Sequence, residues 1–167
     1  MTKITLRAAT IDDIPAIQKM GRASREAAFV DTGHMTIERN EEDLASAWSV
    51  DMLTMSMTIP ANHAIVAVDD EKVIGYLSGR FQNPLDEGQV RLYRIYLHPD
   101  YWGQGVGYKM WQSYINALSD DVKRIDVGSA SWNEQATAFY QRLGFKVIST
   151  HEEKHQLQIS CENLNVS

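Results

Sequence analysis

Leu92-Tyr93-Arg94-Ile95-Tyr96-Leu97-His98-Pro99-Asp100-Tyr101-Trp102-Gly103-Gln104-Gly105-Val106-Gly107 is the run on which the fold turns. Its first part is rich in aromatic and branched residues and completes a strand over Gln89–Leu97. Its second part sets Gly103, Gly105 and Gly107 at alternate positions. A segment with Val106, Met110, Trp111, Tyr114 and Leu118 at helical spacing follows. A helix starting there leaves its first N–H groups without carbonyl partners, and its backbone dipoles place positive charge at the same end. Glycine lets such a backbone come close to a bound anion, so the loop reads as a phosphate cradle. A plain strand-to-helix turn does not need three glycines, each of which costs entropy to order.

Other phosphate loops fail letter by letter. A dinucleotide fingerprint counted from Gly103 requires glycine or alanine at Tyr108, and counted from Gly105 it requires one at Met110. No Gly-Lys-Ser or Gly-Lys-Thr follows, which removes support for a Walker loop. The quoted run resembles motif A of the GNAT superfamily of N-acetyltransferases. The resemblance implies an α/β fold of mixed α+β type, a central twisted, mostly antiparallel sheet with flanking helices, and acetyl-CoA as co-substrate. It also implies that the main chain of Ile95, Tyr96 and Leu97 lies along the pantetheine arm, Ile95 and Leu97 pairing with it as an added strand would. The amides of Gly103, Gln104, Gly105, Val106, Gly107 and Tyr108 would then hold the pyrophosphate, and the Leu97 N–H would polarise the thioester carbonyl. Trp102 stands where the family usually carries Arg or Gln, and weaker coenzyme binding is expected from it.

Further along, Asn133, Ala136 and Tyr140 share one face of a helix, which Gly144 stops in the position of a left-handed cap. With Gly144-Phe145 behind it, this segment resembles GNAT motif B. That gives Asn133 a pantetheine amide to bind and sets Tyr140 against the coenzyme sulfur, where its phenol is expected to pass a proton readily to the departing thiolate. From the helix alone, Tyr140 reads equally well as an amphipathic core residue. The base is harder to place, because many family members have glutamate where this chain has Arg91. Glu87 and Asp86, the nearest upstream carboxylates, read as turn residues. The base stays unassigned, and Arg91 raises the alternative of an acceptor with a negative group.

The flanks fill in the sheet. Ile4 to Arg7 reads as a strand, and Thr10-Ile11-Asp12-Asp13 offers a cap for a helix burying Ile14, Ile17 and Met20. A second helix is expected over Glu41 to Met57, with Leu44, Trp48, Met52 and Met55 facing inward. Met52, Met55 and Met57 with Trp48 read as core rather than as an acceptor pocket. His63 to Val68 and Lys72 to Phe81 form a hairpin across Asp69-Asp70-Glu71. Arg124 to Gly128, Phe145 to Ser149 and Gln156 to Leu164 read as strands, with a helix over Glu134 to Leu143. His151-Glu152-Glu153-Lys154-His155 has the letters of a zinc-protease motif without its helical setting, so it reads as a charged turn and no metal is expected. In the family, early helices border the acceptor cleft, which directs attention to Phe29 through Glu42.

The chain has 167 residues, 44% apolar and 23% charged, as expected of a single folded domain over 1–167. A net charge of -6 argues against broad nucleic-acid binding. With no long apolar run, no export signal and Cys161 as the one cysteine, no membrane association is expected and the cytoplasm is the expected compartment. The function expected is direct transfer of acetyl from acetyl-CoA to a primary amine in a ternary complex, with no covalent enzyme intermediate. A small amine or polyamine ranks ahead of a protein N-terminus or lysine, and relatives imply a homodimer. A non-catalytic acyl-CoA-binding module is the rival, motivated by Trp102 and Arg91.

Overall fold

Apolar strands joined by a tight turn form the middle of the sheet. The computed structural model describes residues 3–81, 88–118 and 120–163. In it, β2 (Asn62–Asp69) and β3 (Lys72–Phe81) pair antiparallel. Asp70 turns the chain between them at φ 58°, a left-handed conformation that aspartate tolerates better than most residues. β1 (Ile4–Ala8) joins β2 and β4 (Gln89–Leu97) joins β3, both antiparallel, while β5 (Arg124–Ala130) runs parallel to β4. β7 (Lys154–Ser160) lies between β5 and β6 (Lys146–His151), giving the order β1-β2-β3-β4-β5-β7-β6. The expected mixed, mostly antiparallel sheet is therefore present. Its last strand begins and ends earlier than the sequence suggested, and Leu164 falls outside the described residues.

Helices cover both faces. α1 (Ile14–Arg25) follows a capping box between Thr10 and Asp13 and buries Ile14, Ile17 and Met20. It packs with α2 (Ile37–Ala47) and α3 (Val50–Thr58) over a core that includes Trp48, Leu53, Val66 and Tyr76. α4 (Val106–Asn116) and α5 (Glu134–Leu143) contribute to the second core, with Leu77, Ile125 and Leu157.

The single helix expected over Glu41 to Met57 is instead broken at Trp48-Ser49, where the Ser49 hydroxyl accepts the Met52 N–H at 3.2 Å and caps α3. The break changes the helical phase. Leu53 and Ser56 turn inward, while Met52 and Met55 are 43% and 45% exposed, so the core reading holds for Trp48 and for Met57, which packs against that core, and fails for Met52 and Met55.

The sheet opens at its centre. Ser78 pairs with Arg94 but Gly79 with Leu92, leaving Tyr93 as an extra residue that bulges β4. The ladder between β4 and β5 ends at Leu92 and Val127, although β5 continues beside β7 to Ala130. Beyond that point β4 and β5 form a fork.

Candidate active site

The alternation of hydrogen bonds along β4 decides what faces the fork. His98 N–H donates to the Ile74 carbonyl at 2.7 Å, and bonded pairs in an antiparallel ladder recur at every second residue. Tyr96 therefore bonds toward β3, and the main-chain groups of Ile95 and Leu97 point into the fork. One of them is already used, since the Trp102 indole Nε1–H donates to the Leu97 carbonyl at 2.8 Å. That bond ties the loop to the strand end and leaves the Leu97 N–H for a ligand.

In the loop, Gly103 and Gly105 have φ of 75° and 80°, which glycine adopts without the penalty a side chain would bring. Gly105 is the N-cap of α4. Its carbonyl takes the Lys109 N–H at 3.2 Å, so the N–H groups of Val106, Gly107 and Tyr108 have no partner within the helix. Gly107 has a packing reason as well, because a Cβ there would sit 3.2 Å from the Phe139 ring. Gln104 departs from expectation: its side chain donates to the Asp100 carbonyl at 2.9 Å, and it does not line the cavity described next.

A cavity of about 520 Å³ runs from this loop through the fork. Ile95, Tyr96 and Leu97 line it from β4, then Gly103, Gly105, Val106, Gly107 and Tyr108, and then Asn133, Ala136 and Tyr140. Phe29, at the start of the Phe29 to Glu42 stretch singled out above, lines it too, while Ser24, Ala28, Met110, Phe139 and Arg142 were not singled out from the sequence. Phe29 arrives there because α1 runs on into a π-helical turn, Glu26–Val30. It meets the Trp132 ring edge-on at 5.3 Å, and Trp132 stacks on His34 at 4.7 Å. Arg25, 7% exposed, lies 5.0 Å from the Phe29 ring centre and pairs with Asp43 at 2.8 Å. Its Nε–H also donates to Asn40 at 2.9 Å. A buried guanidinium with these partners locks the end of α1 to α2 and fixes that wall.

Asn133 is not on the helix face with Ala136 and Tyr140. It is the N-cap of α5, where its side-chain oxygen accepts the Ala136 N–H at 3.2 Å. Capping occupies the oxygen and leaves the amide N–H groups for a ligand. Tyr140 is 6% exposed, lines the cavity and packs against the edges of Phe139 and Phe145. Burial pushes its phenol well above the usual range, with the Tyr96 phenol a smaller contribution. The easy proton transfer expected from Tyr140 is therefore corrected. Ordinary values of about 10 for a phenol and about 8.5 for a thiol already make it uphill by about 2 kcal/mol, and burial of the phenol adds to that. A buried phenol of this kind is better suited to donate a hydrogen bond to sulfur as charge grows there.

Among the described residues, no carboxylate or imidazole lines the cavity. Arg91 lies on β4 before the fork, and Glu87 and Asp86 lie outside the described residues. His151 and His155 stand on paired strands around the Glu152-Glu153 turn, not on a helix. Among the described residues no group of three His, Cys, Asp or Glu could hold a metal, and no helix is long and apolar enough to cross a membrane.

The chain is similar to known proteins in sequence and in fold. The model of the acetyltransferase (GNAT) family matches residues 32–145. An uncharacterized N-acetyltransferase of Mycobacterium tuberculosis is 28% identical over 98 residues. That match covers 56% of this chain and 59% of the relative's length. Among solved structures, the PaiA N-acetyltransferase from Thermoplasma acidophilum, in complex with coenzyme A, superposes with a TM-score of 0.86 at 19% identity, covering 95% of this chain and 99% of the other. The ribosomal-protein-S18-alanine N-acetyltransferase from Escherichia coli gives 0.71 at 18% identity, covering 95% and 94%.

Proposed function

This chain belongs to the GNAT family of acetyltransferases, and from that premise we propose that it transfers the acetyl group of acetyl-CoA directly to a primary amine. The observation that carries the reading is one continuous cavity with unpartnered helix N–H groups at its loop end, outward main chain of Ile95 and Leu97 along its side, and the Tyr140 phenol in its wall. The fit to coenzyme A rests on that donor set. The N–H groups of Val106, Gly107 and Tyr108 suit a diphosphate, the fork edge suits an amide-bearing arm, and exposed Arg142 adds a cation at the rim.

In this reading the Leu97 N–H stabilises charge on the thioester oxygen as the amine attacks. Tyr140 donates to the sulfur as the carbon–sulfur bond breaks, and the proton the amine loses balances the one the thiolate gains. With no carboxylate or imidazole among the described lining residues, the amine arrives neutral from solvent in this reading. For a lysine-like amine of pKa about 10.4, that costs about 4.6 kcal/mol at pH 7. Small primary amines are the first class to test.

The same missing base favours a rival, a module that binds an acyl-CoA without transfer. Calorimetry with acetyl-CoA followed by thiol release with a panel of amines separates the two. Binding and release are expected together, whereas binding with no release to any amine would establish the module.

A further inference from the structure

Resting on the acetyl-transfer reading, we infer that the acceptor amine also carries a carboxylate, held by Arg91 and Lys154 at the mouth of the fork. Gly128 is the first residue of β5 beyond its ladder with β4. A Cβ placed there would lie 3.0 Å from an Arg91 guanidinium nitrogen, 3.0 Å from the Lys154 Cε and 3.7 Å from its Nζ. Glycine thus leaves room for a guanidinium from β4 and an ammonium from β7 to converge over one spot.

Neither half-buried Arg91 nor exposed Lys154 has a partner among the described residues. Arg91 and Lys154 make no ion pair and no side-chain hydrogen bond among the described residues. The nearest buried carboxylate, Asp126, pairs in register with Arg91 but is met by neutral amides, from Gln89 and, at 2.7 Å, from Gln158. Each of its oxygens already accepts one amide N–H, and it makes no ion pair with Arg91. A planar carboxylate matches the fork of a guanidinium, and Lys154 adds a second, more mobile charge.

The place is right for the acceptor rather than the coenzyme. Ile125 and Val127 point into the core that contains α4 and α5, so Gly128 and Asp126, which alternate with them, face the other side of the sheet. Ser24, Ala28 and Phe29 line the cavity from that side, and Arg91, Gly128 and Lys154 stand outside its lining, where an acceptor longer than the cavity would extend. An amine entering there presents its nitrogen at the fork with its anionic end over Gly128. A polyamine would meet two unpaired positive charges, so the inference narrows the small-amine class away from polycations.

The test compares free amino acids, their carboxamides and spermidine in acetyl-CoA thiol release, with rates corrected for the fraction of neutral amine. Free acids are expected to exceed their carboxamides by about tenfold in kcat/KM, the size of one charge-assisted bond. Arg91→Gln and Lys154→Gln are each expected to bring that ratio toward one, and Arg91→Lys to retain most of it, with acetyl-CoA affinity by calorimetry reporting that each variant is folded. Preference for carboxamides or spermidine, or a carboxylate preference that survives the double Gln variant, overturns the inference while leaving acetyl transfer intact. Coenzyme binding with no release to any amine overturns acetyl transfer itself and the inference with it.

Discussion

Aspartate at Gly105 tests the anion loop, and alanine at the same position isolates what is due to the backbone. Gly105 holds φ 80° and ψ 4°, and a Cβ built on it meets no heavy atom within 4 Å. Alanine adds no clash there, so its cost is the left-handed conformation, about 1–2 kcal/mol of stability. Aspartate has the same strain plus a charge beside the proposed diphosphate. Two like charges about 5 Å apart at an effective dielectric near 20 repel by about 3 kcal/mol, which corresponds to about a hundredfold in the dissociation constant. A carboxylate at a helix N-terminus favours the helix dipole, so the unliganded aspartate variant should melt no lower than the alanine one. The expected signature is acetyl-CoA affinity about a hundredfold weaker for Gly105→Asp than for Gly105→Ala, at fixed salt and with comparable melting. Equal affinities by calorimetry would refute an anion at this loop.

Tyr140→Phe keeps the packing against Phe139 and Phe145 and removes only the hydroxyl. Steady-state kinetics should show kcat lower by about 10- to 100-fold with little change in acetyl-CoA affinity, and an unchanged kcat would remove the phenol from the mechanism. Because no carboxylate or imidazole among the described residues lines the cavity, kcat/KM should rise about tenfold per pH unit up to the pKa of the amine. A plateau near pH 7 with a high-pKa amine would reveal an enzyme base. Gly21→Ala would place a Cβ 2.3 Å from the buried Trp48 ring, and denaturant melts should show about 1–3 kcal/mol of lost stability, while an unchanged midpoint would show that α1 can shift away. Arg7 hydrogen bonds, opposed in part by burial, hold the Asp13 carboxyl below its usual range. Its stabilisation is present above the unfolded pKa of about 3.9 and lost as pH falls through the lower folded value. Asp13→Asn should flatten that acid limb in pH-dependent urea melts, and an unaltered limb would assign it elsewhere.

The central unit of the fold was legible because its signals are local. The strand, the glycines and the apolar face of α4 lie in one unbroken run, and Val106, Met110, Trp111 and Tyr114 are all buried as their spacing required. What escaped depends on contacts between distant segments. Nothing in the spacing of Leu44, Trp48 and Met52 marks the break that Ser49 caps, since apolar residues continue across it. Phe29 opens the stretch the sequence singled out, but the π-helical turn that brings it into the cavity wall, and its contact with the distant Trp132, were not visible there. Trp102 looked like the loss of a polar side chain, yet its indole N–H bonds the strand end that the loop follows. Tyr140 lines the cavity, and its acidity depends on burial that only the packed structure fixes. Arg91 could be seen as a departure from the family. Its convergence with Lys154 over Gly128 required the sheet order that sets β7 beside β5.

A crystal structure of the protein with coenzyme A tests the loop and fork together. The diphosphate oxygens are expected within hydrogen-bonding distance of the N–H groups of Val106, Gly107 and Tyr108, with the pantetheine arm beside Ile95 and Leu97 and the sulfur near the Tyr140 hydroxyl. A nucleotide seated elsewhere on the folded protein, with those N–H groups left to solvent, would contradict it.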